Sequence, residues 1–193
     1  MKSNLSKMPV YAPITQNEPM EAIGHRIQAF AATRANHPAL ISEQGTLSWR
    51  ALLDRTNQIA NRLRDEGLQI GDSVAALSEN SADYVALYLG VLTAGGCMVP
   101  LSGMASAEAL NLMLSDCSAQ FLFVSQKNRD LFHSFQPGLK GLSADRIIAL
   151  DDDGEGIGET LSDWLGNAST EAAPADVTMD DAFNIIYSSG TTG

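Results

Sequence analysis

Cysteine is scarce in this sequence: Cys97 and Cys117 are the two among 193 residues. Two cysteines cannot build a disulfide framework, and no CxxC pair or Cys/His cluster accompanies them, which argues against a structural zinc site. Both read as buried free thiols. Aromatic residues are few, at 6%, and positive charge is short, with 12 Lys and Arg against 23 Asp and Glu. The shortfall is local. Residues 1–70 carry 8 basic and 6 acidic side chains, whereas residues 71–193 carry 4 and 17. A chain this acidic has no general electrostatic attraction for nucleic acid, so no nucleic-acid partner is expected. A polyphosphate would have to be met by local donors or by a metal. Glycine shows no triplet repeat, and a hydrophobic content of 45% excludes a disordered chain.

No signal peptide is expected either. Residues 1–19 hold two lysines and no apolar run of the needed length, and they read as an exposed arm. Residues 84–107 carry no charge and are long enough to cross a bilayer. Gly95-Gly96 and Pro100 interrupt them, so they read as a helix and then a buried strand. No membrane span is expected, and a cytoplasmic location is the default expectation.

What is present is alternation. A helix is predicted over 20–35, ended by His37-Pro38. Ala39–Ile41 and Thr46–Trp49 form a hairpin around Gln44-Gly45. Residues 49–66 repeat Leu52, Leu53, Thr56, Ile59, Ala60 and Leu63 at helical spacing, with Gly67 as the left-handed cap. Ser73–Leu77 is a strand. Asn80 or Ser81 caps a helix that carries Tyr84, Leu87, Tyr88, Val91 and Leu92 inward. Cys97–Pro100 is a strand, Ser106 opens another helix, and Gln120–Val124 is a strand buried on both faces. A short helix at 127–135, a strand at 146–150, a helix at 160–165 and a last strand at 183–187 follow. Asp151–Gly156 reads as a solvated acidic turn, since it lacks the spaced ligands of a calcium loop. Strands about 20–25 residues apart with helices between them predict an α/β chain with a parallel sheet. His25, His37 and His133 have no carboxylate or nucleophile at a recognisable spacing and read as surface residues.

The chemistry concentrates at Ile185-Ile186-Tyr187-Ser188-Ser189-Gly190-Thr191-Thr192-Gly193, where an apolar strand runs into six Ser, Thr and Gly residues. Ligands of open α/β sheets bind beyond the carboxyl ends of strands. Glycine lets a backbone approach an anion, and its N–H groups can form a nest. The hydroxyls donate to phosphate oxygens and are of the kind that ligates magnesium. By residue type alone such a tail is more often a linker, and it is not a GxxxxGK[ST] loop.

Residues 185–193 resemble the phosphate-binding signature of the adenylate-forming superfamily, which groups acyl- and aryl-CoA synthetases, peptide-synthetase adenylation domains and luciferases. The signature reads [ST]-[ST]-G-[ST]-T-G and continues x-P-K-G; the match here runs through Gly193. Leu47–Leu52 is similar to the family's entry into its first long helix. Leu92–Leu101 is similar to "L-K-A-G-A-x-Y-V-P-L", and Gly67, Gly71-Asp72-Ser73-Val74 and Asn80 to "G-x-x-x-G-D-x-V…N". Together these segments cover about residues 20–193.

The resemblance implies a three-layer α/β N-terminal lobe with a parallel sheet over 20–193, cut within the phosphate-loop signature. It implies an ATP-dependent ligase that activates a carboxylic acid as an acyl-adenylate and passes it to coenzyme A, with magnesium as companion ion. Ser188, Ser189, Gly190, Thr191, Thr192 and Gly193 take the phosphate-binding role, with Ser188 and Thr191 foremost. The family's catalytic and metal-binding residues lie beyond Gly193, so no catalytic residue is expected within the chain. The chain is expected to be inactive alone and to self-associate through surface left uncovered. Two alternatives stand beside the CoA ligase: an amino-acid adenylation domain and a non-catalytic scaffold lobe. Ser102-Gly103-Met104 after "VPL" lacks the Asp-Pro common in adenylation domains, which favours the CoA ligase.

Overall fold

The computed structural model describes residues 23–42, 45–172, 176–178 and 180–188. The N-terminal arm, Gln44 and Ser189–Gly193 lie outside the described residues. Helix α1 (Ile23–Arg34) leads into an antiparallel hairpin of β1 (Pro38–Ser42) and β2 (Gly45–Ser48). Ser48 ends the strand one residue earlier than expected because it caps α2 (Trp49–Asp65): its hydroxyl accepts from the Ala51 N–H at 3.3 Å. Trp49 is therefore the first helical residue. Gly67 takes a left-handed φ of 91° just past the helix, where the sequence asks for it.

Then β and α alternate: β3 (Ser73–Leu77), α3 (Ala82–Ala94), β4 (Cys97–Leu101), α4 (Ala107–Asp116), β5 (Phe121–Val124), α5 (Arg129–Phe135), β6 (Ile147–Ala149), β7 (Glu159–Thr160) and α6 (Leu161–Leu165). Hydroxyl caps start three of these helices. Ser81 accepts from Tyr84 N, Ser106 from Ala109 N and Thr160 from Asp163 N, at 3.0, 3.2 and 3.1 Å. The predicted helix at 127–135 divides into a 3-10 turn at Gln126–Asn128 followed by α5.

Five parallel strands form the sheet in the order β4-β3-β5-β6-β7. The first strand of the sheet, β3, takes β4 on one side and β5 on the other, so the winding reverses between β3 and β5. That is the flavodoxin-like order, with its switch point between those two strands. Each face has its own core. Leu52, Ile59, Leu63, Leu87, Val91 and Trp164 pack from α2, α3 and α6 against one face. Leu110, Leu114, Phe132 and Phe135 pack from α4 and α5 against the other. The result is the three-layer arrangement the sequence implies. Helices α2 and α3 approach closely because Gly90 has no side chain; a Cβ there would lie 2.6 Å from Ile59 Cγ2.

The uncharged stretch 84–107 forms α3 and then β4, the helix and strand expected of it, and no helix among the described residues is long and apolar enough to cross a membrane. Two expectations are corrected. The predicted strand at 183–187 is reduced to a single parallel bridge, Asn184 with Met98, because the segment meets β4 at one residue only. Cys97 is buried, but Cys117 is only partly so, since it sits at the exposed end of α4. Strand β7 was not expected; its two residues, one exposed, leave no apolar pattern to read. The acidic loop is tied down by backbone and hydroxyl donors, with Asp151 accepting from Gln126 N and Asp152 from Ser162 Oγ at 2.7 Å. All three histidines are exposed.

Candidate functional site

The segment that leads into the hydroxyl-rich motif lies along the outer edge of β4. Met98 N donates to Phe183 O at 3.2 Å, and Ile185 N donates to Met98 O at 2.9 Å. The pairing is parallel, so the chain leaves this edge in the direction in which β4 ends at Leu101. Ser188 is therefore brought to the carboxyl edge of the sheet, where it is exposed. Ser189, Gly190, Thr191, Thr192 and Gly193 lie outside the described residues.

Side chains fix the same segment from both faces of the sheet. Asn184 Nδ2 donates to the Tyr88 hydroxyl of α3 at 2.8 Å. The Tyr187 hydroxyl donates to Asp116 Oδ2 of α4 at 2.6 Å, with the Met113 carbonyl 3.1 Å away. Burial, and then the bond to Asp116, pushes the Tyr187 phenol well above its ordinary range. Ile185 and Tyr187 also pack against the α4-side core.

Further along the same edge, a polar cluster joins the two strands that flank the switch point. Glu79, just past β3, accepts from Ser125 Oγ at 3.0 Å and from Asn128 Nδ2 at 3.2 Å. Asn128 Nδ2 also donates to Ser125 Oγ at 2.9 Å, and Lys127 Nζ lies 3.6 Å from Glu79. Ser125 and Asn128 are buried. Gly103, in the loop after β4, faces this cluster; a Cβ there would come within 2.7 Å of Asn128 Oδ1. Sequence reasoning missed Glu79, Ser125 and Asn128. The available signal was position: polar residues directly after two wholly buried strands.

Partial burial pushes the Glu79 carboxyl up, but the Ser125 hydrogen bond, its own backbone N–H and Lys127 outweigh this and hold it below its ordinary value. A carboxyl lowered in the folded state contributes stability above its unfolded pKa and loses it as pH falls through the folded value. Urea unfolding should therefore show Glu79→Gln less stable than the parent above about pH 5. The two should converge as the pH drops below the carboxylate range, and a gap independent of pH would contradict this.

At the β4 end of the sheet Ser188 supplies one exposed hydroxyl, a group able to donate a hydrogen bond to an anionic oxygen. Among the described residues no group of three or more His, Cys, Asp or Glu is placed to hold a metal.

The model of the AMP-binding enzyme family matches residues 27–193. Among curated proteins, the chain is 32% identical over 166 residues to surfactin synthase subunit 1 of Bacillus subtilis, covering 86% of the chain and 4% of that protein. It is 29% identical over 183 residues to the fatty acid–[acyl-carrier-protein] ligase ScoC of Streptomyces coeruleorubidus, covering 90% of the chain and 33% of the ligase. Among solved structures, the anthranilate CoA ligase AuaEII in complex with anthranoyl-AMP superposes with a TM-score of 0.80 at 26% identity, over 90% of the chain and 33% of the ligase. The chain thus spans a third or less of the length of these relatives. With the fold and the match over 27–193 in agreement, the chain belongs to the AMP-binding enzyme family, in the adenylate-forming superfamily.

Proposed function

We propose that this lobe is part of an ATP-dependent acid–thiol ligase that activates a carboxylic acid as its acyl-adenylate and passes the acyl group to coenzyme A. The observation that carries this reading is the placement of Ser188, the first residue of SSGTTG, exposed at the carboxyl edge of a parallel sheet. Ser188 and the motif residues Ser189, Gly190, Thr191, Thr192 and Gly193 would hold the phosphates of ATP. Their hydroxyls are hard oxygen donors, the type magnesium takes. ATP supplies the adenylyl group that turns a carboxylate oxygen into a leaving group. The chain's own part is to bind and orient the phosphates with few cations, since residues 71–193 carry 17 acidic and only 4 basic residues. Hydroxyl and backbone N–H donors are what it offers in place of cations.

An acid-dependent exchange of pyrophosphate into ATP by the full-length protein tests this, with fatty, aromatic and amino acids as candidates. Exchange with a fatty or aromatic acid, followed by thioester formation with coenzyme A, is the expected result. Absence of exchange with every acid would overturn the reading. A second reading, amino-acid adenylation, draws on the 32% identity to surfactin synthase subunit 1. It predicts exchange with an amino acid and no transfer to coenzyme A.

The same reading leaves apolar surface beside the site. Phe183 and Ile186 are 56% and 70% exposed on the β4-edge segment. The 193-residue chain by itself should self-associate through them. Light scattering should show the average mass rising with concentration, and Phe183→Ser/Ile186→Ser should flatten that rise.

A further inference from the structure

We infer that Asn184 and Tyr187 are positioning residues that set the register of the chain entering the phosphate loop. This rests on the reading of Ser188 and its neighbours as that loop. The backbone pairing that holds the segment is thin: two hydrogen bonds, both to Met98. A strand paired at one residue has little in its ladder to resist a slip. The side chains supply what the ladder lacks. Asn184 is tied to Tyr88 of α3, and Tyr187 to Asp116 and the Met113 carbonyl of α4. Those helices cover opposite faces of the sheet.

The spacing makes the pair sensitive to register. In extended chain successive side chains point to opposite faces, so residues three apart fall on different sides. Asn184 and Tyr187 meet this condition and find partners on both sides. A slip of one residue would turn the Tyr187 phenol toward α3 and the Asn184 amide toward α4, and both bonds would be lost. The Tyr187 bond also engages the last turn of α4, where the Met113 carbonyl that accepts from Cys117 N lies 3.1 Å from the phenol oxygen. Ser188 follows Tyr187 directly, so whatever fixes Tyr187 fixes where the first hydroxyl of the loop begins.

The test uses the full-length protein and four forms: parent, Tyr187→Phe, Asn184→Ala and Asp116→Asn. Hydrogen exchange read by mass spectrometry should speed up in the peptide spanning 183–188 for Tyr187→Phe and Asn184→Ala, with peptides from β3 and β5 unchanged. In ATP–pyrophosphate exchange these two variants should raise KM for ATP by about tenfold while KM for the acid stays put. Asp116→Asn keeps an acceptor for the phenol and should stay close to the parent in both readouts. Unchanged hydrogen exchange in 183–188 would overturn the inference. Faster hydrogen exchange with an unmoved KM for ATP would overturn it too, by reducing the bonds to simple tethers. If the parent exchanges pyrophosphate with no acid, the proposed function fails instead, and hydrogen exchange decides the clamp.

Discussion

Replacing Trp164 with alanine should cost about 3–5 kcal/mol of folding stability, the largest loss expected from one substitution in this lobe. The indole is 1% exposed at the centre of the α2/α3/α6 core. It meets Phe121 and Phe123 edge-on, with ring centres 6.3 and 5.3 Å away, and Arg62 lies over it at 5.7 Å. These rings come from α6 and from β5, the strand beside the switch point, so the cavity would open against the middle of the sheet. Trp164 Nε1 is buried with no hydrogen-bond partner among the described residues. Trp164→Phe therefore removes volume without breaking a polar bond and should be far milder than alanine. Urea unfolding followed by far-UV circular dichroism would give both values. Equal losses in the two variants would show that the aromatic contacts are not what the site contributes.

Removing two hydroxyls from the proposed phosphate loop should affect ATP use most. Hydrogen bonds to a charged partner contribute about 1.5–3 kcal/mol each, or roughly ten- to a hundredfold in kcat/KM. Ser188→Ala alone should lower kcat/KM for ATP by at least about tenfold. Ser188→Ala/Thr191→Ala should lower it further, with folding stability unchanged because Ser188 is exposed. Ser102→Ala is the control: its hydroxyl accepts from Met104 N at 3.2 Å in the neighbouring loop. It should leave ATP use intact. A loop double variant with parental kcat/KM would remove the phosphate-binding role from these residues.

Much of this architecture was legible because local chemistry and global fold agree. Ser81 and Ser106 announce helices as hydroxyls placed before apolar runs, and the structure uses both as caps. The wholly buried β3 and β5 read as uncharged runs bounded by turn residues. Glu159–Thr160 could not be read as a strand, since two residues carry no periodicity and the pairing with Ile148 and Ala149 is decided by the tertiary fold. Ile185 and Ile186 suggested a longer strand than exists: Ile185 packs on the α4-side core, Ile186 is exposed, and the pairing with β4 is confined to Asn184. The loop motif was legible through its resemblance to a family signature, since by residue type alone such a tail reads more often as a linker. The Glu79–Ser125–Asn128 cluster was not, because the parallel register that aligns Leu77 with Val124 brings together residues far apart in sequence. The grip of Asp116 on Tyr187 was hidden for the same reason.

The strand order also bears on how the lobe is made. On the ribosome, β3 and β4 emerge first and can pair, but Val74 of β3 has its second partner in Phe121 of β5. At about 5–20 residues per second, the intervening chain takes several seconds to appear. Throughout that interval β3, destined for an interior place in the sheet, has one side open, and its fully apolar Val74–Leu77 run is a template for wrong pairing. The topology that creates the switch point thus leaves a nascent chain in which an interior strand must be shielded before its neighbour exists.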